Sequence, residues 1–379
     1  MKQYDLVVVG AGIVGLAHAY EATLRGLKVG VVEKNNRCVG ASIRNFGFIT
    51  VSGQSKKDTW RRARYSREVW KSICDQANIP VLHRGSWVVC QRPEAVDVAQ
   101  AFLKSDMGAD CRLFTPAEFS SLGDHGFQNT QFLNLDTAQG LFYSPYEFRV
   151  ESREAIPMLT EWLSSKHEVD FIWGTEVTDY DKTQVHTSQG SFLANKVVIC
   201  PGAEMNGIAK QFISHHPISL CTLQMLRVRL DTNFRLPGSI MTDNSLARYL
   251  GWAELSEANE LKKIIENEMP DYIKEGIHLI AVQSADGSLV IGDSHRYSNA
   301  ESVFSDETID EMIIGLLHKT LKYSDLRVIE RWSGVYPSMS QQDALIEKVS
   351  NSLRVAIVTS GTGASTAFGL AKDNLDDWI

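Results

Sequence analysis

The sequence predicts an α/β protein in which a parallel sheet flanked by helices is joined to a second, antiparallel sheet. Three observations predict it. The chain opens on an apolar run, Leu6-Val7-Val8-Val9, that breaks into Gly10-Ala11-Gly12-Ile13-Val14-Gly15 and then into a helical pattern. It closes on a similar unit, where residues 354–359 run into Gly361-Thr362-Gly363-Ala364-Ser365 and a final helix. Between about 215 and 330 the texture changes to alternating segments at 224–230, 277–283 and 288–291, the pattern of an antiparallel sheet with covering helices.

The opening unit continues into a second apolar run, 29–32, that ends on Glu33. Strand, glycine turn, helix and a second strand closed by a carboxylate describe a Rossmann-type dinucleotide-binding unit. Gly10 allows the tight turn, Gly12 lets backbone approach a pyrophosphate, and Gly15 lets helix and strand pack closely. The helix expected to start at about Gly12 offers, with Ile13 and Val14, free N–H groups and a partial positive charge to phosphates. Glu33 is placed to accept from a ribose diol and would repel a 2′-phosphate.

Gly26 stands where a C-cap would end the first helix at about Arg25. Trp60, Ala63, Val69, Trp70 and Ile73 give residues 55–78 the spacing of a long amphipathic helix with a solvated basic face. A strand is predicted over 85–90 and a helix over 93–107. Thr115-Pro116-Ala117-Glu118 carries a helix-start signature, with Thr115 as cap, Pro116 at the first position and Glu118 three residues on. A helix over 151–166 leads into strands at 169–173 and 176–177, and a buried strand at 196–200 ends in Pro201-Gly202-Ala203. Another amphipathic helix is predicted over 305–321. With no repeat and no linker, the two domains are expected to interleave. Residues 1–50, 145–215 and 330–379 would form the nucleotide domain, and 51–144 and 216–329 the substrate domain.

Bulk properties narrow the partners. The 379 residues are 44% hydrophobic and 22% charged, ordinary for a globular protein, and long enough for two domains. A net charge of −8 argues against nucleic acid, which needs excess Lys and Arg, and leaves room for a small anionic substrate at a locally basic site. The six cysteines are scattered without a CxxC pair, as in reduced thiols, and no metal is expected. The chain starts at its first strand and holds no apolar run long enough to span a bilayer, so a cytoplasmic location is expected. Oligomeric state stays open.

Glycine turns near both ends of the chain suit one extended ligand held at both ends. FAD has that shape, with ADP at the opening turn and the isoalloxazine near the closing one. No second GxGxxG marks a separate NAD(P) module, which leaves dioxygen or another small acceptor to reoxidise the flavin.

Over its whole length the chain resembles the D-amino-acid-oxidase-like superfamily of FAD oxidoreductases, which includes sarcosine and glycine oxidases. The resemblance rests on the opening glycine turn, Glu33-Lys34, Ala41-Ser42-Ile43-Arg44-Asn45-Phe46-Gly47, the strand ending in Gly202, and the closing turn. The Ala-Ser-x-Arg-Asn-x-Gly segment looks most like a bacterial branch found beside phosphonate-catabolism genes, whose members resemble oxidases of aminophosphonates and their N-methyl derivatives. The resemblance implies that Ser42, Arg44, Asn45 and Gly47, with Phe46 between them, wrap the pyrophosphate and flavin, that Val177 offers its backbone to the adenine, and that Gly202 ends a strand beside the dinucleotide. It also implies that Gly361, Gly363, Ala364 and Ser365 place N–H groups near the flavin O2. FAD bound non-covalently is expected.

The chemistry implied is hydride removal from a carbon beside a neutral amine nitrogen, giving an imine that water hydrolyses, with no dedicated base. The substrate is then a small anionic amine, an amino acid or aminophosphonate, possibly N-methylated 2-aminoethylphosphonate. Its acidic end calls for the planar fork of an arginine. Arg331, in a stretch that has counterparts in relatives, is the first candidate, with His295, Arg296, Arg248 and Tyr249 as others. The bland alternative for Arg331 is a structural ion pair with Glu330 or Asp343, and for His295 and Arg296 the end of a hairpin arm. Gly292-Asp293 also suggests the late Gly-Asp motif of aromatic hydroxylases, an alternative made less attractive by the glycine turn at 361. A non-catalytic flavin-binding role is the remaining alternative.

Overall fold

The computed structural model describes residues 2–122, 132–231 and 234–379. The apolar runs read from the sequence are strands of one sheet, ordered Ala344–Lys348, Leu353–Val358, Gly190–Ile199, Gln3–Val9, Val29–Val32 and Asp170–Ile172. The last five are parallel, with Val7 opposite Val197 on one side and Gly30 on the other. Leu6, Val7, Val8 and Val31 are completely buried because both faces of this sheet are covered. Helices Ile13–Thr23, Asp58–Ala77, Ser152–His167 and Gly363–Asp376 cover one face, where Trp70 meets Phe368 edge-on at 5.5 Å. The hairpin Val177–Tyr180/Gln184–Thr187 joins the core on the other face.

The first helix stops at Thr23 with Leu24 as its C-cap, short of the end expected at about Arg25, and Gly26 just beyond takes the left-handed φ of +73° that turns the chain. Thr115 and Glu118 form a reciprocal capping box, the Thr115 hydroxyl accepting from Glu118 N and the Glu118 carboxylate from Thr115 N. The helix expected over 93–107 ends at Leu103, followed by a short 3₁₀ turn at Asp106–Gly108.

The second sheet runs Arg296–Ser298, Ser219–Leu230, Leu289–Gly292, Ile280–Gln283, Ser239–Thr242, His83–Cys90, Gly140–Arg149 and Phe48–Ile49. Leu326–Ser338 lies along Ser219–Leu230, and Arg112–Phe114 along Gly140–Arg149. It is antiparallel except for Ser239–Thr242 beside His83–Cys90, two strands from distant segments that no hairpin joins. Strands Gly140–Arg149 and Leu326–Ser338 both belong here, so the boundaries expected at 145 and 330 fall inside strands of this sheet.

Arg149, fully buried, binds the two parts together. Its guanidinium donates to the Phe46 carbonyl, the Gln283 carbonyl, Glu151 and Ser284. Among the described residues, no helix is long and apolar enough to cross a membrane. All six cysteines are free and five of them are buried.

Candidate active site

A cavity of about 410 Å³ lies where the two sheets meet, lined at one end by Ile13 and Val14 after the opening turn and by the closing turn, and at the other by the second sheet, while Gly10, Gly12, Gly15 and Glu33 stand outside its lining. The nucleotide end is built by backbone that only glycine fits. A Cβ on Gly10 (φ +104°) would stand 2.5 Å from the Cys200 carbonyl oxygen, and one on Gly15 1.9 Å from that of Gly10. No side chain caps the helix at Gly12, and Ile13 and Val14 line the cavity. Ser42 reaches in from the following loop, its Oγ accepting from Ile13 N at 2.8 Å. Glu33 closes its strand beside the turn. One carboxylate oxygen accepts from Ala11 N and the other from Asn35, which leaves lone pairs for a diol.

The 41–47 loop is braced from within. Asn45 donates to the Ala41 carbonyl and accepts from Gly47 N and Ser152 Oγ. Gly47 holds φ +70°, with the Val150 carbonyl oxygen 1.8 Å from where a Cβ would sit. Arg44 and Phe46 face the cavity, and among the described residues no carboxylate pairs with the Arg44 guanidinium. At the closing turn Gly361 (φ +71°) packs on the Tyr336 ring, and the helix from Gly363 starts without a side-chain cap. Gly202, Gly363, Ala364 and Ser365 line the same cavity, and Ser365 Oγ is fixed by Thr50 N at 2.9 Å. Glycine cradles and two helix N-termini whose N-cap residues give no side-chain cap, the first with Ser42 on Ile13 N, open toward one cavity and fit an extended dinucleotide with an anionic centre. Lys34 turns outward, paired with Glu204 at 2.7 Å, and its ammonium plays no part in the cavity. Val177 is buried in the cluster that holds Val32 and does not line the cavity.

The far end brings together Arg248, Tyr249 and His295, and adds Asp293, Tyr297 and Tyr336. Arg248 donates to the Tyr297 hydroxyl at 3.0 Å and, among the described residues, has no carboxylate within ion-pair distance. Burial works against its charge, but Tyr297, Tyr336 and Asp293 outweigh that and hold it protonated. Asp293 is buried, and burial pushes its carboxyl up to about 7 against the pull of Arg248. His278 and His295 stack on each other at 5.5 Å, and their Nε2 atoms face the two oxygens of this carboxylate. Burial, reinforced by Arg248, holds both imidazoles well below 6.5, so they are neutral at neutral pH.

Arg331 is not in the cavity. Its Nε donates to Asp310 at 2.7 Å and its outer nitrogen meets Glu307, both on helix Glu307–Thr320 across the sheet. The cause is strand alternation. Trp332, whose indole donates to the Arg44 carbonyl, and Tyr336 turn toward the cofactor side, and Arg331 is one residue out of step. Its partners are also not Glu330 or Asp343. Arg296 likewise points away from its neighbour His295, into Glu275 at 2.6 Å and Asp306 at 3.2 Å.

Sequence reasoning missed His278, Tyr297 and Tyr336 as site residues, and read Asp293 as part of a late Gly-Asp motif. The available signal was an acid and two imidazoles placed at the ends of otherwise apolar strands, where polar groups are costly unless used.

The fold and the site define an oxidoreductase that works with a bound dinucleotide. The chain belongs to the DAO family of FAD-dependent oxidoreductases, whose model matches residues 5–374. Among curated protein sequences none matches it. In fold it is similar to L-proline dehydrogenase from P. horikoshii (TM-score 0.75, 17% identity, covering 100% of this chain and 95% of that one). Glycine oxidase from Geobacillus kaustophilus is comparable (0.74, 16%, 100% and 95%). So is L-amino acid deaminase from Proteus vulgaris, crystallised without its specific insertion (0.71, 18%, 99% and 89%).

Proposed function

We propose that this FAD-dependent oxidoreductase oxidises the C–N bond of a small amine with an acidic group, an amino acid or an aminophosphonate such as N-methylated 2-aminoethylphosphonate, to an imine. The observation that carries the reading is Arg248, a cavity-lining guanidinium with a tyrosine hydroxyl but, among the described residues, no carboxylate within ion-pair distance. A half-buried cation without an anion is ready to pair, and a carboxylate or phosphonate arriving with the substrate supplies the partner. The guanidinium fork meets two oxygens of such a group at once and so fixes the substrate's orientation. FAD, when bound, supplies the hydride acceptor. Met225 and Ile280 give that end of the cavity apolar walls, which exclude water from the reacting carbon. Reoxidation falls to dioxygen or another small acceptor. The glycine oxidase and amino acid deaminase likenesses support a C–N substrate.

The test is anaerobic bleaching of the bound flavin by glycine, sarcosine, D- and L-amino acids, 2-aminoethylphosphonate and its N-methyl form. Reduction by at least one acidic amine, and not by the same amine with its acid end removed, is expected. Bleaching by NADPH alone, or by none of the amines, overturns the reading.

A further inference from the structure

A carboxylate and the Nε2 atoms of two imidazoles converge at the substrate end of the cavity. The Nε2 atoms of His278 and His295 stand 3.5 and 3.7 Å from the two carboxylate oxygens of Asp293. The Nδ1 of His295 faces the Gly276 carbonyl at 2.9 Å. A carbonyl can only accept, so Nδ1 carries the hydrogen and the neutral ring turns its Nε2 lone pair toward Asp293. The Nδ1 of His278 is taken up by Ser245 Oγ at 3.1 Å. All three residues are buried, and Asp293 Oδ1 has no hydrogen-bond partner. Asp293 and His295 line the same cavity as Arg248. A buried carboxylate with one oxygen unbonded and the His295 lone pair turned toward the other lacks what it needs, a cation or a proton.

We propose that Asp293, backed by His278 and His295, seats the ammonium group of the substrate and takes its proton, so that the amine reacts in its neutral form. This rests on the amine reading above. The step is a single proton transfer. An N–H bond of the ammonium breaks and an O–H bond forms on Asp293. The electron pair stays on nitrogen, and the opposite charges of ammonium and carboxylate cancel. The new O–H then has an acceptor in a His Nε2, and the freed lone pair assists loss of hydride from the adjacent carbon.

The surroundings suit an acceptor that works near neutrality. The groups that face Asp293 are Arg248, His278, His295, Tyr249 and Cys221. Arg248 favours the carboxylate and burial opposes it, which leaves Asp293 at about 7. That is low enough to be ionised when a substrate arrives and high enough to hold the proton afterwards. A divalent metal ion would meet the same three ligand atoms. The Arg248 charge opposes it, and a zwitterionic substrate neutralises Arg248 with its own acid end.

The experiment is the pH profile of kcat/KM for anaerobic flavin reduction in the FAD-loaded enzyme, using two reactive amines that differ in basicity. An enzyme acceptor gives a bell with an acid limb near 7 that is the same for both amines, and an alkaline limb at each amine's own pKa. In Asp293→Asn the acid limb disappears and kcat/KM climbs to the amine's pKa. At a pH two units below that pKa only about 1% of the amine is neutral, so a loss of about 100-fold is expected there, recovering at high pH. An acid limb that follows the amine in the wild-type enzyme overturns the proposal without any variant. So does an Asp293→Asn enzyme with full FAD content whose profile is unchanged, or one equally impaired at every pH. Stoichiometric transition metal in the purified holoenzyme, absent from the variant, also overturns it in favour of a metal centre. Failure of every amine to bleach the flavin is a different result and removes the functional reading itself.

Discussion

Replacing Arg248 by lysine is the substitution from which most can be learned. The charge is kept and the fork is lost, so a bidentate pair with the substrate's acid becomes a single contact. In the structure the guanidinium is held at the cavity wall by one hydrogen bond, to Tyr297, and has no ion-pair partner among the described residues. Its binding capacity is therefore not already spent on the protein. A desolvated, charge-assisted hydrogen bond contributes about 2–3 kcal/mol, which corresponds to a fall of about 30- to 150-fold in kcat/KM. The loss should appear mainly in KM, because the acid end is remote from the reacting carbon. FAD content and Tm should stay near those of the parent. Arg331→Ala is the natural control, since that side chain lies outside the cavity and is half exposed beside Asp310. It should leave kcat/KM within about twofold and lower Tm, because the buried Asp310 loses its cation. Steady-state kinetics with the best amine, alongside thermal melts, separates the two. Unchanged kinetics in Arg248→Lys, with a large KM effect in Arg331→Ala, would refute the assignment.

Other expectations follow from the same geometry. Gly47→Ala forces a Cβ toward the Val150 carbonyl at a positive φ, so the purified variant should carry less flavin, read from the ratio of visible to ultraviolet absorbance. Acid or heat precipitation should release all the flavin into the supernatant, and yellow colour retained in the pellet would mean a covalent link. Asp293, lifted from 3.8 to about 7, holds a proton in the folded chain that the unfolded chain has released. Stability should therefore fall as pH rises from about 4 to 7 and level off above, and Asp293→Asn should lose that slope. Urea midpoints at pH 5 and pH 8 for both proteins measure it, and parallel profiles would count against the buried carboxyl.

Where a residue type answers a local backbone demand, the sequence was a sufficient guide. Gly10, Gly47 and Gly361 answer a positive φ within their own turns, Gly15 a close approach to Gly10 in the same turn, and the Thr115–Glu118 box lies within one helical turn. The choice among arginines was another matter. Whether Arg331 or Arg248 meets the cavity depends on the phase of a thirteen-residue strand against its neighbour and on which face a helix covers. A shift of one residue reverses the answer. Asp293 and His278 were hidden for a related reason. Their sequence context resembles a turn and a strand start, and only the packing of distant strands reveals that both are buried and facing each other.

Tyr336 serves two masters. Its ring is the floor on which Gly361 rests and, at the same time, part of the substrate end of the cavity. A smaller residue there would enlarge the room for substrate and remove the support beneath the turn that faces the flavin. Selection for bulkier amines is therefore steered away from that wall. New specificities in this lineage, or in a laboratory library, should arise on the opposite side, around Tyr249 and Leu250, where the chain lies against the cavity without carrying the closing turn.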